Sequence, residues 1–502
     1  MSSTSPGSPW EAHLPAGVAL EGIDLLAAES LPRAWQQHFA CSPESPAILA
    51  ADTEGWLTYG QLDARSRAAA GCLAAAGLHS GQRILLSAAA SVELVVAYVA
   101  AQRLGLVVVP VNSAYTRREV EHIIADASPS GAIVDDQDRA SWMRDAGVLC
   151  GPEVDLPEGP EPPLDRSKRE DLALVAYTSG TTGAPKGAML SSGNLLASAQ
   201  AIRLAWRWSN DDRLILALPL FHLHGLGVGL HGTLLSGASA VLLPKFETDV
   251  VLSAVAEHHA TLFFGVPTMY GRLASSPRVR ELSSLRLCVC GSAPLSAELH
   301  RVFAERAGQH ILERYGMTET VMNVSNPYEG QRRAGTVGLP LPGVQLRLAH
   351  DSEIQLRGPN VFRGYWRQPQ ATAEAFTGDG WFRTGDLGEL DQDGYLRIVG
   401  RSKELIISGG YNVYPREVEE VLRTHPQVAD VAVAGLPSVE WGETVGAWIV
   451  ADGDLDVDEL LTFAGARLAG YKRPRVLQVV DELPRNALGK VLKRDLQAPS
   501  QD

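Results

Sequence analysis

Cysteine, aromatic side chains and basic charge are all scarce in this chain. Its 502 residues include 5 cysteines and 6% aromatics, and 44 Lys and Arg stand against 58 Asp and Glu. The cysteines (Cys41, Cys72, Cys150, Cys288, Cys290) are few and odd in number, and the close pair in "LRLCVCGS" has no second pair with which to hold zinc. Buried, reduced thiols in a reducing cytoplasm are expected. The formal net charge of −14 argues against non-specific binding to nucleic acid or to an anionic membrane. An anionic ligand must therefore meet locally placed Lys and Arg. Long apolar runs are missing too. The stretch 214–243 is broken by Pro219, His222, His224 and His231, which suits a buried strand–turn–helix better than a membrane span. The opening "MSSTSPGSPWEAHLPAG" has no basic start and no apolar segment, so it is no secretory signal, and residues 1–28 are expected to form a flexible tail.

What is present is an alternation of helical and strand-like patterns. "YGQLDARSRAAAGCLAAAGL" and "SVELVVAYVAAQRLG" have helical spacing, while "LVVVPVN" is a β-branched run suited to a doubly covered parallel sheet. A second α/β region follows, with strands at "DLALVAYT", "DRLILALP", "ATLFFGV" and "LRLCVC". After about Gly335 the chain turns to short strands punctuated by Gly and Pro, a small β-rich subdomain. The last hundred or so residues form a compact end, with a boundary near residues 400–403. The expected fold class is α/β, with 29–400 as a large domain of two α/β subdomains plus the β-rich one, and 401–502 as a small α+β domain.

Residues 178–187, "TSGTTGAPKG", raise the question of chemistry. A Walker loop needs Gly-Lys-Ser/Thr at its end, and here Pro185 precedes Lys186 and Gly187 follows it. Hydroxyls from Thr178, Ser179, Thr181 and Thr182, with free amides around Gly180 and Gly183, suit the β- and γ-phosphates of ATP, and Lys186 adds a point charge. Composition alone leaves a plain surface loop as the alternative.

Further along stand "RYGMTET" (314–320), "RTGDLG" (383–388), "GRSKELI" (400–406) and "PRNALGKVLKRDL" (484–496). Together with the loop they resemble the adenylate-forming superfamily of acyl- and aryl-CoA synthetases, peptide-synthetase adenylation domains and luciferases. The resemblance implies ATP, Mg²⁺ and coenzyme A as partners, with an acyl-adenylate formed first and a thioester second. It implies that Glu319 holds Mg²⁺, that Thr318 meets the α-phosphate, and that Tyr315 stacks on adenine between Arg314 and Gly316, opposite a wall of Gly291, Ser292, Ala293 and Pro294. Asp386 would accept from the ribose hydroxyls, with Arg401 sharing the sugar. Lys490 would offset charge on the phosphoryl oxygens, a role its own sequence context does not distinguish from those of Lys493 and Arg494. Residues 29–400 would be the AMP-binding domain and 401–502 a mobile lid hinged at Lys403, bringing Ser408, Gly409, Gly410 and Tyr411 to the pantetheine arm.

"PLFHLHGL" and the segment after "YGMTET" resemble malonyl- and methylmalonyl-CoA synthetases more than long-chain or aryl enzymes. That likeness implies that His222, a candidate catalytic group, and Leu223 border the acyl tunnel, and that Met322 closes it for a short acid. A dicarboxylate needs a cation for its second carboxyl group, and Arg272 and Arg301 are the candidates. A short or medium monocarboxylate is the alternative substrate, and a non-catalytic nucleotide or acyl-adenylate sensor the alternative class.

Overall fold

The computed structural model describes residues 8–50, 55–151, 160, 162–178, 185–408, 411–438, 441–486 and 489–496. It divides into two compact units, Met1–Gln345 with Leu356–Phe382, and Leu346–Gln355 with Arg383–Asp502.

The first unit holds two sheets. One has six strands in the order Leu149–Gly151, Gly131–Val134, Arg83–Ser87, Val107–Pro110, Leu172–Thr178, Lys186–Ser191. Its neighbours run parallel up to Leu172–Thr178, which turns back antiparallel onto Lys186–Ser191. All four residues of Val107–Pro110 are buried, as a β-branched run in a covered parallel sheet requires. The helices start where the sequence supplies caps: Thr58 and Gln61 close a capping box on Tyr59–Ala75, and Ser91 caps Val92–Leu104. Gly105 ends the latter helix at φ 79°.

The second sheet has nine strands: Leu339–Pro340, Val324–Ser325, Ile311–Tyr315, Leu287–Cys290, Leu262–Gly265, Arg213–Leu216, Ser239–Leu242, Pro46–Ala50 and Leu57–Thr58. The strands from Ile311–Tyr315 through to Pro46–Ala50 are parallel. The broken apolar stretch forms strand, π-helical turns at His224–Leu230, helix and strand within this layer. No helix among the described residues is long and apolar enough to cross a membrane.

Three expectations are corrected in the first unit. Leu172–Thr178 belongs to the first sheet, with Leu174 opposite Val108, while Pro46–Ala50 crosses to the second. Apolar patterning identifies a strand but not its partner, which is set by how the crossover helices pack. The supposed flexible tail is anchored from residue 8 on. Pro9–His13 forms a 3₁₀ turn, Trp10 Nε1 donates to the Val344 carbonyl at 2.9 Å, and His13 is buried with Nε2 3.1 Å from the Leu339 carbonyl oxygen. Cys288 and Cys290 are buried, but Cys41 is exposed at the end of its helix.

The second unit carries a four-stranded sheet (Gln345–Leu348, Glu353–Arg357, Phe382–Leu390, Leu396–Arg401). A five-stranded one follows, with Tyr411–Val413, Ile406–Ser408, Gly442–Ala451 and Val428–Ser438 in order and Val476–Val479 beside Gly442–Ala451. Helices Pro415–Arg423 and Val457–Gly465 bury Val418, Leu422 and Leu460 in its core. This unit begins upstream of residue 400, because Arg397 pairs with Glu420 and Arg416 donates to the Ile398 carbonyl, tying the hairpin to the first of these helices.

Candidate active site

The phosphate loop candidate is the turn of the hairpin Leu172–Thr178/Lys186–Ser191, where Thr178 stands opposite Lys186. Ser179, Gly180, Thr181, Thr182 and Gly183 lie outside the described residues. Residues 363–366 run alongside the second strand of this hairpin, with Met189 N donating to the Gly364 carbonyl at 3.0 Å and Trp366 N to the Gly187 carbonyl at 2.7 Å. That pairing points Tyr365 at two of the predicted groups. Lys186 Nζ lies over its ring, 5.2 Å from the centroid, and its hydroxyl donates to Glu319 Oε1 at 2.9 Å. Burial, with Glu319 beside it, pushes the Tyr365 phenol up, so it stays a donor. The sequence offered no sign of Tyr365, since its contacts depend on the hairpin beside it.

Glu319 is buried and its carbonyl accepts from Phe362 N at 2.8 Å. The loop around it is tightly specified. Val321 is held at φ 58°, a conformation costly for a β-branched residue, and its carbonyl oxygen would lie 2.1 Å from any Cβ at Gly316. Asn360 Nδ2 secures the far side, donating to the Thr320 and Met322 carbonyls at 3.0 and 2.9 Å. Tyr315 and Met322 are buried and Thr318 half-buried.

A second loop leaves strand Leu287–Cys290. Gly291 is buried, Ser292 adopts φ 70°, Ala293 is half-buried and Pro294 is exposed. A Cβ at Gly291 would come within 2.5 Å of Arg314 Cζ, so the glycine makes room for that guanidinium. Burial draws Arg314 down to about 10, which leaves it charged at neutral pH. His224 Nδ1 lies 3.1 Å from Ser292 Oγ. Burial, then Arg314 and His222, hold His224 well below its usual range, and burial takes His222 down to about 4. Both imidazoles are neutral. His222 and Leu223 are half-buried at the entry to the π-helical turns.

The two arginines expected to hold a second carboxylate are at the surface. Arg301 is exposed and already bound by Glu298 and Glu305 of its own helix, each at 2.6 Å, which removes it as an anion site. Arg272 is exposed in the last turn of Pro267–Ser275.

In the second unit, Asp386 and Arg401 face each other across a hairpin, with Arg401 Nε 2.9 Å from Asp386 Oδ1. Lys490 sits in a turn fixed by its own N–H donating to Asn486 Oδ1 at 2.9 Å. Its amine is lowered by burial and then by Arg401, against the opposing pull of Glu404 and Asp386, so it belongs to the same charge cluster. Lys493 is tied to Glu419 at 2.8 Å and to Glu404 at 3.5 Å, more constrained than a solvated basic face. Lys403 is exposed in the turn Ser402–Glu404. Ser408 is buried, and Tyr411 is exposed with its ring stacked 4.6 Å from that of Tyr471. Gly409 and Gly410 lie outside the described residues.

Residues 35–366 fit the AMP-binding enzyme model, and residues 417–490 fit the AMP-binding enzyme C-terminal domain. The chain belongs to the AMP-binding enzyme family. The feruloyl-CoA synthase of Amycolatopsis sp is 38% identical to it over 477 residues, 91% of this chain and 96% of that protein. The malonate–CoA ligase of Arabidopsis thaliana is 34% identical over 480 residues, 84% of this chain and 78% of that protein. The structure of ATP-bound MatB from Rhodopseudomonas palustris superposes with a TM-score of 0.89 at 40% identity, covering 93% of this chain and 97% of that one. This AMP-binding enzyme is an adenylate-forming acid–thiol ligase that uses ATP and CoA.

Proposed function

We propose that this enzyme activates a short dicarboxylic acid, malonate or methylmalonate, in the cytoplasm with ATP and Mg²⁺, and passes it to CoA. The observation that supports the choice of acid is the buried packing of Met322 against Gly316. This side chain is 1% exposed, with its sulfur 3.1 Å from where a Cβ on Gly316 would stand, and it lies three residues beyond Glu319. An acid held close to the nucleotide site therefore meets a closed end after a short tail.

In the first step a carboxylate oxygen attacks the α-phosphorus of ATP and pyrophosphate leaves. Both reactants are anionic, so Lys490 offsets the charge that builds on the phosphoryl oxygens, with Thr318 beside them. Asp386 and Arg401, already paired with each other, take the ribose hydroxyls, and Tyr315 takes the adenine face. Lys186 meets the outer phosphates. No group of three His, Cys, Asp or Glu among the described residues could hold a metal alone. A cation at Glu319 would thus draw most of its ligands from phosphate and water, which fits Mg²⁺. Bound there, Mg²⁺ would neutralise phosphate charge.

In the second step Lys490 must leave so that a thiol can enter. Rotation about Lys403 would remove it and bring Ser408, Gly409, Gly410 and Tyr411 to the pantetheine arm. The thiol sulfur then attacks the acyl carbon and AMP departs with the bonding pair. Neutral His222 and Leu223 border the acid.

CoA-dependent AMP formation with malonate, methylmalonate, butyrate and ferulate tests the reading. Malonate or methylmalonate should give the highest kcat/KM. The likeness to a feruloyl-CoA synthase favours one other outcome, a preference for ferulate, which would replace the dicarboxylate assignment. A sensor would form no AMP with any acid, and the joint presence of Lys186, Glu319, Asp386, Arg401 and Lys490 speaks against it.

A further inference from the structure

We infer that Tyr98 is a positioning residue for the acid: its hydrogen bond to His231 fixes the register of the π-helical turns His224–Leu230, and so sets where His222 and Leu223 stand. The inference rests on the reading of His222 and Leu223 as neighbours of the acid, and adds the pair that places them.

These turns hold one more residue per hydrogen-bonded ring than an α-helix does. Val228 N donates to the Leu223 carbonyl at 2.9 Å, and His231 N donates to the Leu226 carbonyl, each five residues back. Such geometry is rare, collects at functional sites and persists where the surroundings enforce it. On one side the enforcement is steric. A Cβ at Gly225 would lie 2.3 Å from the Pro219 carbonyl oxygen, and one at Gly232 would lie 2.2 Å from the Trp208 ring, so the segment cannot move that way. On the other side Leu226 and Leu230 face a cavity of about 20 Å³, lined also by Phe221 and by Leu86, Leu94 and Tyr98 of the first sheet and its helix. Apolar contact around a void is non-directional and leaves the register free.

The directional contact between this segment and helix Val92–Leu104 is Tyr98 Oη, 2.6 Å from His231 Nε2, with the two rings stacked at 5.6 Å. Both side chains are buried. Burial holds the phenol up and takes the imidazole down to about 3, so both are neutral and the bond is not lost to ionisation. His231 Nδ1 has no partner among the described residues, which leaves the Tyr98 hydroxyl to orient this ring. The N–H of the same residue closes the last π turn, so ring and register are fixed together. Without the bond the turns can tighten towards the α form, into the cavity. Losing one residue from the ring rotates the chain before it by about 100° relative to the helix His231–Ser236 that follows. Leu223, directly before the turns, then leaves its place beside the acid.

The test compares the full-length enzyme with Tyr98→Phe, which deletes the hydroxyl and keeps the ring. Butyrate and hexanoate differ in tail length alone. The butyrate-to-hexanoate ratio of kcat/KM should fall by about 2- to 10-fold, the range that one neutral hydrogen bond supports, while KM for ATP stays as in wild type. His231→Leu should shift the ratio by the same factor and the double variant no further, because one bond is lost in all three. An unchanged ratio, or an equal loss with both acids that follows a lower melting temperature, would overturn the inference and make the pair structural. Should Tyr98→Phe fail to fold, His231→Leu decides alone, and a wild-type ratio there refutes it. Leu223→Ala tells failure of the inference from failure of the reading beneath it. A ratio moved by Leu223→Ala but not by Tyr98→Phe removes the pair from the site, whereas a ratio that Leu223→Ala leaves at wild type removes Leu223 from the acid.

Discussion

Replacing Tyr365 by Phe deletes one oxygen from the link between the hairpin Leu172–Thr178/Lys186–Ser191 and Glu319. The ring stays on Lys186, and the Glu319 backbone stays pinned by Phe362 N, so the change is confined to the bond from the phenol to the carboxylate, 2.9 Å long. A hydrogen bond to a buried charged group contributes about 1.5–3 kcal/mol. Losing it corresponds to roughly 10- to 150-fold in any step that needs this carboxylate in place. On the proposed roles adenylation needs it, and transfer from a finished adenylate does not. Pyrophosphate exchange at saturating acid, with ATP varied, should therefore drop by that factor in Tyr365→Phe. Conversion of synthetic acyl-adenylate to acyl-CoA should stay within about twofold of wild type. Exchange at the wild-type rate, or an equal loss in both half-reactions, would refute the reasoning.

Lys490→Ala should abolish pyrophosphate exchange and leave transfer from synthetic adenylate largely intact, and an equal fall in both would make the lysine structural. Because burial and Arg401 lower Lys490 from its ordinary 10.5, wild-type exchange should decline at a pH below that value, whereas Lys490→Arg, if active, should hold its rate. Gly316→Ala places a methyl 2.1 Å from the Val321 carbonyl, so adenylation and melting temperature should fall together, and normal values for both would contradict the loop geometry. Acid should destabilise the fold through His13 and His222, held at about 4, and His231, held at about 3. As pH falls from 6.5 towards 4, the unfolded chain takes up protons that the folded one excludes, so stability is lost by about 1.4 kcal/mol per pH unit for each group. Urea midpoints measured across that window should drop, less steeply in His13→Gln, and a flat profile would contradict the burial.

Local chemistry was legible in the sequence wherever it was carried by neighbours in the chain. Asp386 in "RTGDLG" and Arg401 in "GRSKELI" stand opposite each other because the two segments are the arms of one hairpin, and the strand at "LVVVPVN" announced its burial by composition. Partnerships across the sheets were not legible. Tyr365 reaches Glu319 only because residues 363–366 lie against the strand Lys186–Ser191, and nothing in "VFRGYW" carries that information. Arg272 and Arg301 drew attention as arginines near the acyl segments, but exposure and the Glu298–Glu305 pair depend on which helix face meets solvent. Arg314 was read with its motif as a nucleotide residue, and its buried edge, without a hydrogen-bond partner among the described residues, is visible only in the fold, beside Gly291. The anchoring of Trp10 and His13 was hidden for the same reason, their acceptors lying beyond residue 335.

The enzyme's proposed reaction is a two-step ligation that begins with a short dicarboxylic acid. Enzyme mixed with ATP, Mg²⁺ and malonate, without CoA, and analysed by mass spectrometry tests it most directly. Malonyl-adenylate should accumulate one-for-one with pyrophosphate, and adding CoA should convert it to malonyl-CoA with release of AMP. Absence of a malonyl adduct under conditions where ferulate or butyrate yields its own adenylate would contradict the account.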